Sequence, residues 1–133
     1  MATFRKFEDM EAWQKARVLC QEIFSLTERD NFNKDYKLRS QILGSSGSIM
    51  DNIAEGFDRG SSGEFVYFLG VAKGSVAEVR SQLYRALDRR YITQEEFAAL
   101  YEAANTISKM ISGQIRYLRN TDVKGSRYRI GEG

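Results

Sequence analysis

The residues best placed to do chemistry lie along one edge of a helix that the sequence predicts between residues 34 and 57. Spacings of seven, four, three and four keep five polar side chains in one sector of this helix. Two cations seven residues apart on the next predicted helix could meet them. We call this set the polar seam; it comprises Gln41, Ser48, Asn52, Glu55 and Arg59, with Lys73 and Arg80 opposite.

A polar seam beside a helix core has two interpretations. It binds a ligand or nucleic acid, or it forms a partly buried hydrogen-bond network that fixes helix register or a subunit interface. We favour the second interpretation. We therefore expect Asn52 and Glu55 to be largely removed from solvent and hydrogen-bonded, because polar groups beside a core cost free energy unless they are paired.

Catalytic and metal chemistry find little support in the sequence. The chain contains no histidine, which excludes Ser-His-Asp and Cys-His nucleophiles and every histidine-containing metal site. Carboxylate pairs such as Asp51 with Glu55 have no motif around them that would bring a substrate or a cation together with them. The one cysteine, Cys20, lies on an apolar helix face and is typical of a small core residue. We expect no catalytic, metal-binding or cofactor-binding residue and no enzymatic activity.

Basic charge is concentrated in the second part of the chain. Residues 80–133 carry 10 Lys and Arg against 6 Asp and Glu, whereas residues 1–79 carry 10 against 12. Arginines on two predicted helices could form a surface that attracts phosphates, or they are ordinary solvated side chains. The nucleic-acid contacts predicted on this basis are Arg85, Arg89, Arg90, Arg116 and Arg119.

The elements that position these residues are helices. Apolar residues recur every three or four positions along four segments, and two capping boxes, Ser61 with Glu64 and Thr93 with Glu96, mark helix starts. In the polar connection between the first two helices, Phe32 is expected to act as an anchor. Short connections predict an all-α, antiparallel up-down-up-down four-helix bundle. The predicted helices cover residues 7–28, 34–57, 62–90 and 94–120; the bundle domain is 1–120, and 121–133 is predicted to be a flexible polar tail.

Three glycines within the second predicted helix call for an explanation. A glycine in a helix interior costs about 1 kcal/mol relative to alanine. We therefore expect a neighbouring backbone to approach closely at Gly44, Gly47 and Gly56.

Composition places the chain among globular proteins. Its 133 residues are 42% hydrophobic and 29% charged, which fits a single domain with its own core. No apolar run approaches the roughly 20 residues that a membrane span requires, and the N-terminal residues lack the apolar core of a signal peptide. We expect a cytoplasmic protein without membrane contact.

Several of these segments together resemble a known family. YKLRSQI at 36–42, SIMDNIAEGFDRGSSGEFVYFL at 48–69 and GVAKGSVAEVRSQL at 70–83 are similar to the bacterial four-helix bundle family that includes proteins encoded in intervening sequences of 23S ribosomal RNA. The resemblance implies a protomer that forms a homopentamer, a suspected association with nucleic acid and no established enzymatic activity. The family commonly carries arginines after the position of Gln41; here LGSSG follows Ile42.

Two functional hypotheses follow from the residues and the resemblance. The first is a non-enzymatic oligomeric bundle that binds structured RNA or other nucleic acid. The alternative is a protein-interaction scaffold, or an accessory factor without direct nucleic-acid binding, that docks a partner protein.

Overall fold

The computed structural model describes residues 4–121, which form a helical bundle with four long helices. No β-strand forms within this range. The prediction of an all-α fold is confirmed. A 3-10 turn, Phe7–Asp9, precedes α1 (Glu11–Thr27), α2 (Asp30–Lys34), α3 (Tyr36–Asp58), α4 (Ser62–Asp88) and α5 (Gln94–Thr121). The tail predicted for 121–133 lies outside the described residues, except for Thr121, which is the last residue of α5.

The first long helix begins later than predicted. Residue 7 was the expected start, but the helix begins at Glu11 because Met10 has an extended backbone (φ −78°, ψ 125°). This turn places the Met10 side chain in the core, where it is 2% exposed, and sets the Phe7 ring edge-on to Trp13 at 5.2 Å. The 3-10 turn is thus the way the chain buries its first apolar residues.

A short helix that the sequence analysis did not predict links α1 to α3. Its Phe32 is 2% exposed and stacks on Tyr91 with ring centroids 4.9 Å apart, which confirms its role as an anchor. Asp35 then caps α3, since its carboxylate accepts a hydrogen bond from the backbone N–H of Leu38 at 3.2 Å.

Helices α3 and α4 contact each other along their whole length. Gln41 contacts Arg85, Ser48 contacts Ser75, and the Phe57 ring lies 5.8 Å from that of Phe65. The core between the long helices is aliphatic and aromatic. Its fully buried members include Leu19, Ile23, Leu38, Ile42, Ile49, Ile53, Phe57, Phe65, Leu69, Val76, Leu83, Ile107 and Ile111.

The predicted helix starts at the two capping boxes are confirmed. Ser61 Oγ accepts from the Glu64 backbone N–H at 3.2 Å. Thr93 Oγ1 accepts from the Glu96 N–H at 3.1 Å, and the Glu96 carboxylate accepts from the Thr93 N–H at 2.8 Å. The Thr93–Glu96 pair thus satisfies two backbone donors at the start of its helix. The Ser61–Glu64 pair satisfies one, and the Glu64 carboxylate accepts from the Ser61 hydroxyl at 2.9 Å.

The prediction about close packing at glycines holds at one position of three. A Cβ added at Gly56 would lie 2.7 Å from Phe68 Cβ and 3.1 Å from Phe65 Cδ1, so α4 does approach closely there. At Gly44 and Gly47 the prediction is wrong, because nothing lies within 4 Å of an added Cβ.

Of the helices in residues 4–121, none combines the length and the apolar character needed to cross a membrane.

Candidate nucleic-acid interface

The centre of the polar seam is a hydrogen-bond network between α3 and α4. Asn52 Nδ2 donates to the Ser48 carbonyl oxygen at 2.8 Å and to Ser48 Oγ at 2.9 Å. Ser75 Oγ lies 2.9 Å from Ser48 Oγ and connects this network to α4. Ser48 and Asn52 are half-buried and Ser75 is buried. Asn52 is hydrogen-bonded as expected, but it is only half-buried and both of its hydrogen bonds stay within α3. The contact with α4 joins Ser48 to Ser75, a residue absent from the predicted seam.

The end of the seam that consists of Glu55 and Arg59 is exposed. Glu55 pairs with Arg59 at 2.9 Å, and its side chain is 53% exposed, so the expectation that it would be removed from solvent is wrong. Arg59 also lies 3.6 Å from Glu64 and 4.8 Å from the centroid of the Phe68 ring. An i,i+4 pair at the surface of a helix explains Glu55 fully.

The two cations of α4 do not join the seam. At 100° per residue, Arg80 points about 140° away from Ser75 around the helix axis. Its Nη2 donates to the Tyr101 hydroxyl of α5 at 2.9 Å. Lys73 is exposed and lies on the same side of α4 as Arg80. The α4 partner of Gln41 is instead Arg85, whose Nη1 donates to Gln41 Oε1 at 2.9 Å.

The three arginines at the end of α4 have different roles. Arg89 Nη1 donates to Asp35 Oδ2 at 2.6 Å, and the Tyr91 hydroxyl donates to the same oxygen at 2.8 Å. These donors, with Tyr91 the larger contributor, lower the pKa of Asp35. Arg89 therefore ties α4 to the cap of α3. Arg85 is half-buried, and Arg90 is exposed.

Arg90 has a positive φ of 62°, and its backbone ends α4. Its N–H donates to the Leu87 carbonyl at 2.9 Å, and the Tyr91 N–H donates to the Ala86 carbonyl at 2.9 Å. This is the Schellman arrangement, in which a residue in the left-handed region closes the last turn of a helix.

The predicted nucleic-acid contacts do not form one patch. Arg116 and Arg119 are exposed on α5, but Arg116 lies 22 residues beyond Gln94, about 33 Å along the helix at 1.5 Å per residue. The α4 arginines lie near the beginning of α5. The structure therefore separates Arg85, Arg89 and Arg90 from Arg116 and Arg119.

A different grouping emerges on the side of the bundle where α4 and α5 meet. Arg80 points toward α5, and Lys73 lies within about 20° of it around α4. On α5 the cations lie within about 80° of the direction of Tyr101, which contacts Arg80. We call this surface the α4–α5 face; its cations are Lys73, Arg80, Lys109, Arg116 and Arg119.

The charge of the α4–α5 face is not balanced within the described chain. Ion pairs in residues 4–121 involve Lys15, Arg29, Arg39, Arg59 and Arg89, and none involves a cation of this face. Three carboxylates, Asp88, Glu95 and Glu102, lie at its margins. Five cations against three carboxylates leave a positive surface there.

The α4–α5 face also carries an aromatic cluster that the sequence analysis missed. The Tyr84 ring lies 4.7 Å from Phe97 and 5.5 Å from Tyr101 between centroids, and Phe97 lies 5.2 Å from Tyr101. The Arg80 guanidinium carbon sits 5.0 Å from the centroid of the Tyr101 ring. The i,i+4 spacings of Arg80 with Tyr84 and of Phe97 with Tyr101 were the sequence signal for this cluster.

The two tyrosines of the cluster have pKa values that are shifted by each other and by the neighbouring Arg80 guanidinium. The hydrogen bond from Arg80 stabilises the phenolate form and lowers the pKa of Tyr101. The neighbouring Tyr101 hydroxyl raises the pKa of Tyr84. Arg80 is therefore the electrostatic centre of the cluster.

A second surface feature is an apolar groove between α1 and α3. It has a volume of about 530 Å³ and is lined by Phe24, Cys20, Leu43 and Met50, among others. Phe24 is 50% exposed. Cys20 is half-buried at the groove, with its Sγ 3.8 Å from Ser46 Oγ.

Potential metal ligands are scattered rather than clustered. Within residues 4–121 no group of three or more Cys, Asp or Glu side chains is arranged to hold a metal ion.

Comparisons with known proteins identify the family. The family model described as 23S rRNA-intervening sequence protein matches residues 8–113, which is most of the chain. A crystal structure of a protein with unknown function, from the S23 ribosomal protein family of Bacteroides thetaiotaomicron, has a similar fold. Its TM-score is 0.72 at 24% sequence identity, covering 79% of this chain and 98% of that one. No curated protein matches the chain. By the match to the family model, the chain belongs to the 23S rRNA-intervening sequence protein family.

Proposed function

We propose that this protein is a non-enzymatic, oligomeric helical bundle that binds structured RNA or other nucleic acid through the α4–α5 face. The observation that carries the proposal is the grouping of five cations on one side of the bundle, none of which forms an ion pair within residues 4–121. Cations that no internal carboxylate neutralises are available to phosphates. Neutralised phosphates supply most of the affinity in non-specific nucleic-acid binding.

The proposal includes an antiparallel up-down-up-down order of the long helices. Gln41 near the start of α3 contacts Arg85 near the end of α4, and Tyr84 and Arg80 contact Phe97 and Tyr101 in succession. In this order Lys73 lies level with Lys109, so the cations of the two helices flank one continuous strip. A nucleic-acid backbone running along the bundle would meet cations from both helices.

The proposal also includes assembly into a homopentamer, as the family resemblance implies. Exposed apolar side chains support contact between copies, above all Phe24 at the α1–α3 groove and Val18, which are 50% and 51% exposed. A protomer with a net charge of +2 binds phosphates weakly. A closed ring repeats the α4–α5 face on every subunit, so several weak contacts act together.

A pair of matched charge reversals tests where nucleic acid binds. One variant carries Lys109→Glu and Arg116→Glu on the α4–α5 face, and the other carries Arg85→Glu and Arg90→Glu at the end of α4. Each variant lowers the net charge by four, from +2 to −2. None of the four residues takes part in an ion pair in the described chain.

Gel shifts with a structured RNA at two salt concentrations measure the outcome, and light scattering monitors the oligomer. We expect the face variant to lose most of its affinity and the salt slope to fall by about 0.7–0.9 per phosphate contact removed. The end variant should retain more affinity than the face variant. Equal loss in both variants would show that net charge matters and position does not. A parent that binds no RNA at low salt would refute the proposal.

The scaffold hypothesis keeps one specific observation in its favour, the exposed Phe24 beside the α1–α3 groove. Three results together would favour the scaffold hypothesis over nucleic-acid binding. The parent protein is free of nucleic acid, the Phe24→Ser variant keeps the oligomer intact, and that variant no longer retains a partner protein that the parent binds.

A further inference from the structure

We infer that the aromatic cluster of the α4–α5 face stacks on unpaired bases, so the protein prefers single-stranded or looped segments to continuous duplex. This inference rests on the proposed function and specifies its substrate class. The stacking residue is Tyr84, and Arg80 with Tyr101 and Phe97 holds its ring in place.

Tyr84 offers an aromatic surface that the fold has fixed but not covered. It is 49% exposed, while its ring is in contact with two others, Phe97 at 4.7 Å and Tyr101 at 5.5 Å. Tyr101 is in turn fixed by the 2.9 Å hydrogen bond from Arg80. Because these ring contacts already restrict Tyr84, its side chain loses little rotamer freedom when a base stacks on it. More of the stacking energy therefore appears as affinity.

Arg80, which lies against the Tyr101 ring of the cluster, provides a positive charge that can bind an anion. Arg80 is half-buried, and its Nη2 donates a hydrogen bond to the Tyr101 hydroxyl at 2.9 Å. No carboxylate of residues 4–121 forms an ion pair with it. A guanidinium that faces an aromatic ring and keeps its charge unbalanced suits a phosphate next to a stacked base.

An exposed aromatic ring distinguishes unpaired bases from paired ones. Within a duplex each base is stacked on both of its faces, so an aromatic side chain on the protein surface finds no free base face to contact. An unstacked base presents a free π-face whatever its sequence. The cluster thus favours loops, bulges and single strands, whereas the cations alone would bind any phosphate backbone.

Fluorescence anisotropy tests the inference with a labelled single-stranded RNA of about 12 nucleotides and with a duplex of the same length. Tyr84→Ala should lower the affinity for the single strand by about 5- to 150-fold. Its affinity for the duplex should change less than about twofold. Tyr84→Phe keeps the ring and should retain the affinity of the parent.

Tyr67→Ala is the matched control, because Tyr67 is also an exposed tyrosine of α4, 65% accessible, and lies 17 residues from Tyr84, about 25 Å along the helix. It should leave both affinities unchanged. The inference is overturned if Tyr84→Ala leaves the affinity for the single strand unchanged or lowers the affinities for single strand and duplex equally. It is also overturned if Tyr84→Ala has the same effect as Tyr67→Ala.

The remaining outcomes separate the two proposals. If the parent binds RNA and Tyr84→Ala has no effect, this inference fails while the proposed function stands. If the parent binds neither ligand, both fail. If Tyr84→Ala changes the oligomer size in light scattering, the cluster is a contact between copies and the inference is overturned. Thermal melting of both alanine variants identifies any loss of affinity that comes from unfolding.

Discussion

Replacing Glu96 with glutamine should destabilise the fold in a way that depends on pH. The Glu96 carboxylate accepts a hydrogen bond from the Thr93 N–H at 2.8 Å, which caps α5. It also accepts hydrogen bonds from Nη1 and Nη2 of Arg29, the first at 2.9 Å. Arg29 Nη1 donates to the Tyr91 carbonyl as well, at 3.2 Å. Glu96 and Arg29 therefore together tie the α1–α2 connection and the turn after α4 to the start of α5.

The magnitude follows from the pKa of Glu96, which these donors, Arg29 foremost, lower from 4.5 to about 2. A shift of this size corresponds to at most roughly 3.4 kcal/mol. Because the side chains of Glu96 and Arg29 are 30% and 45% exposed, solvent screening reduces this to about 1–2 kcal/mol. Since the pKa is lower in the folded state, the stabilisation is complete above pH 4.5 and is lost as the pH falls toward 2.

Urea unfolding of the parent and of Glu96→Gln at neutral pH and at about pH 3 measures this contribution. We expect a difference of about 1–2 kcal/mol at neutral pH and less than half of that at pH 3. The control is Glu55→Gln, which removes an exposed i,i+4 pair with Arg59 and should cost only about 0.3–0.5 kcal/mol. Equal costs for the two variants, or a Glu96→Gln cost independent of pH, would refute the reasoning.

Two further predictions concern the backbone. Gly56→Ala should lower the free energy of unfolding by about 1–3 kcal/mol, because its Cβ would meet Phe68 Cβ at 2.7 Å, whereas Gly44→Ala, which has open space, should raise it by about 0.5–1 kcal/mol. Denaturant unfolding checks both, and a Gly56→Ala protein as stable as the parent would contradict the close approach. Arg90→Gly should raise the melting temperature, with a gain of about 0.5–1 kcal/mol, because glycine adopts the φ of 62° without strain. An unchanged or lowered melting temperature would count against it.

The sequence predicted the helices well because their apolar periodicity and capping boxes are local signals. Three of the four long helices begin and end within two residues of the predicted bounds. The exception is the first, where burial of Met10 interrupts the helix. That burial depends on the position of the other helices, and no local pattern encodes it. The same holds for Gly44 and Gly56, which look alike in sequence and differ only in the neighbour they face.

The candidate site was predicted less well, because its members come together only in three dimensions. Helical spacing placed Arg80 beside the core but could not decide whether it faces α3 or α5. The contact with Tyr101 decides it. Arg89 looked like a free cation until the fold brought Asp35 within 2.6 Å. Charge counts along a sequence thus overestimate the cations that a fold leaves available.

The middle of α3 also bears on the order in which the protein forms during synthesis. Residues 43–48, LGSSGS, include two glycines that each cost about 1 kcal/mol in a helix and three serines. Two of the serines, Ser45 and Ser46, return hydrogen bonds to the carbonyls of Gln41 and Leu43, an interaction that slightly destabilises a helix. Such a segment forms a helix only when a neighbour packs against it. Of the two long helices that pack against α3, α1 is synthesised before it and α4 after it, and α4 makes the more extensive contact. We therefore expect α3 to become stably helical only when α4 has been synthesised.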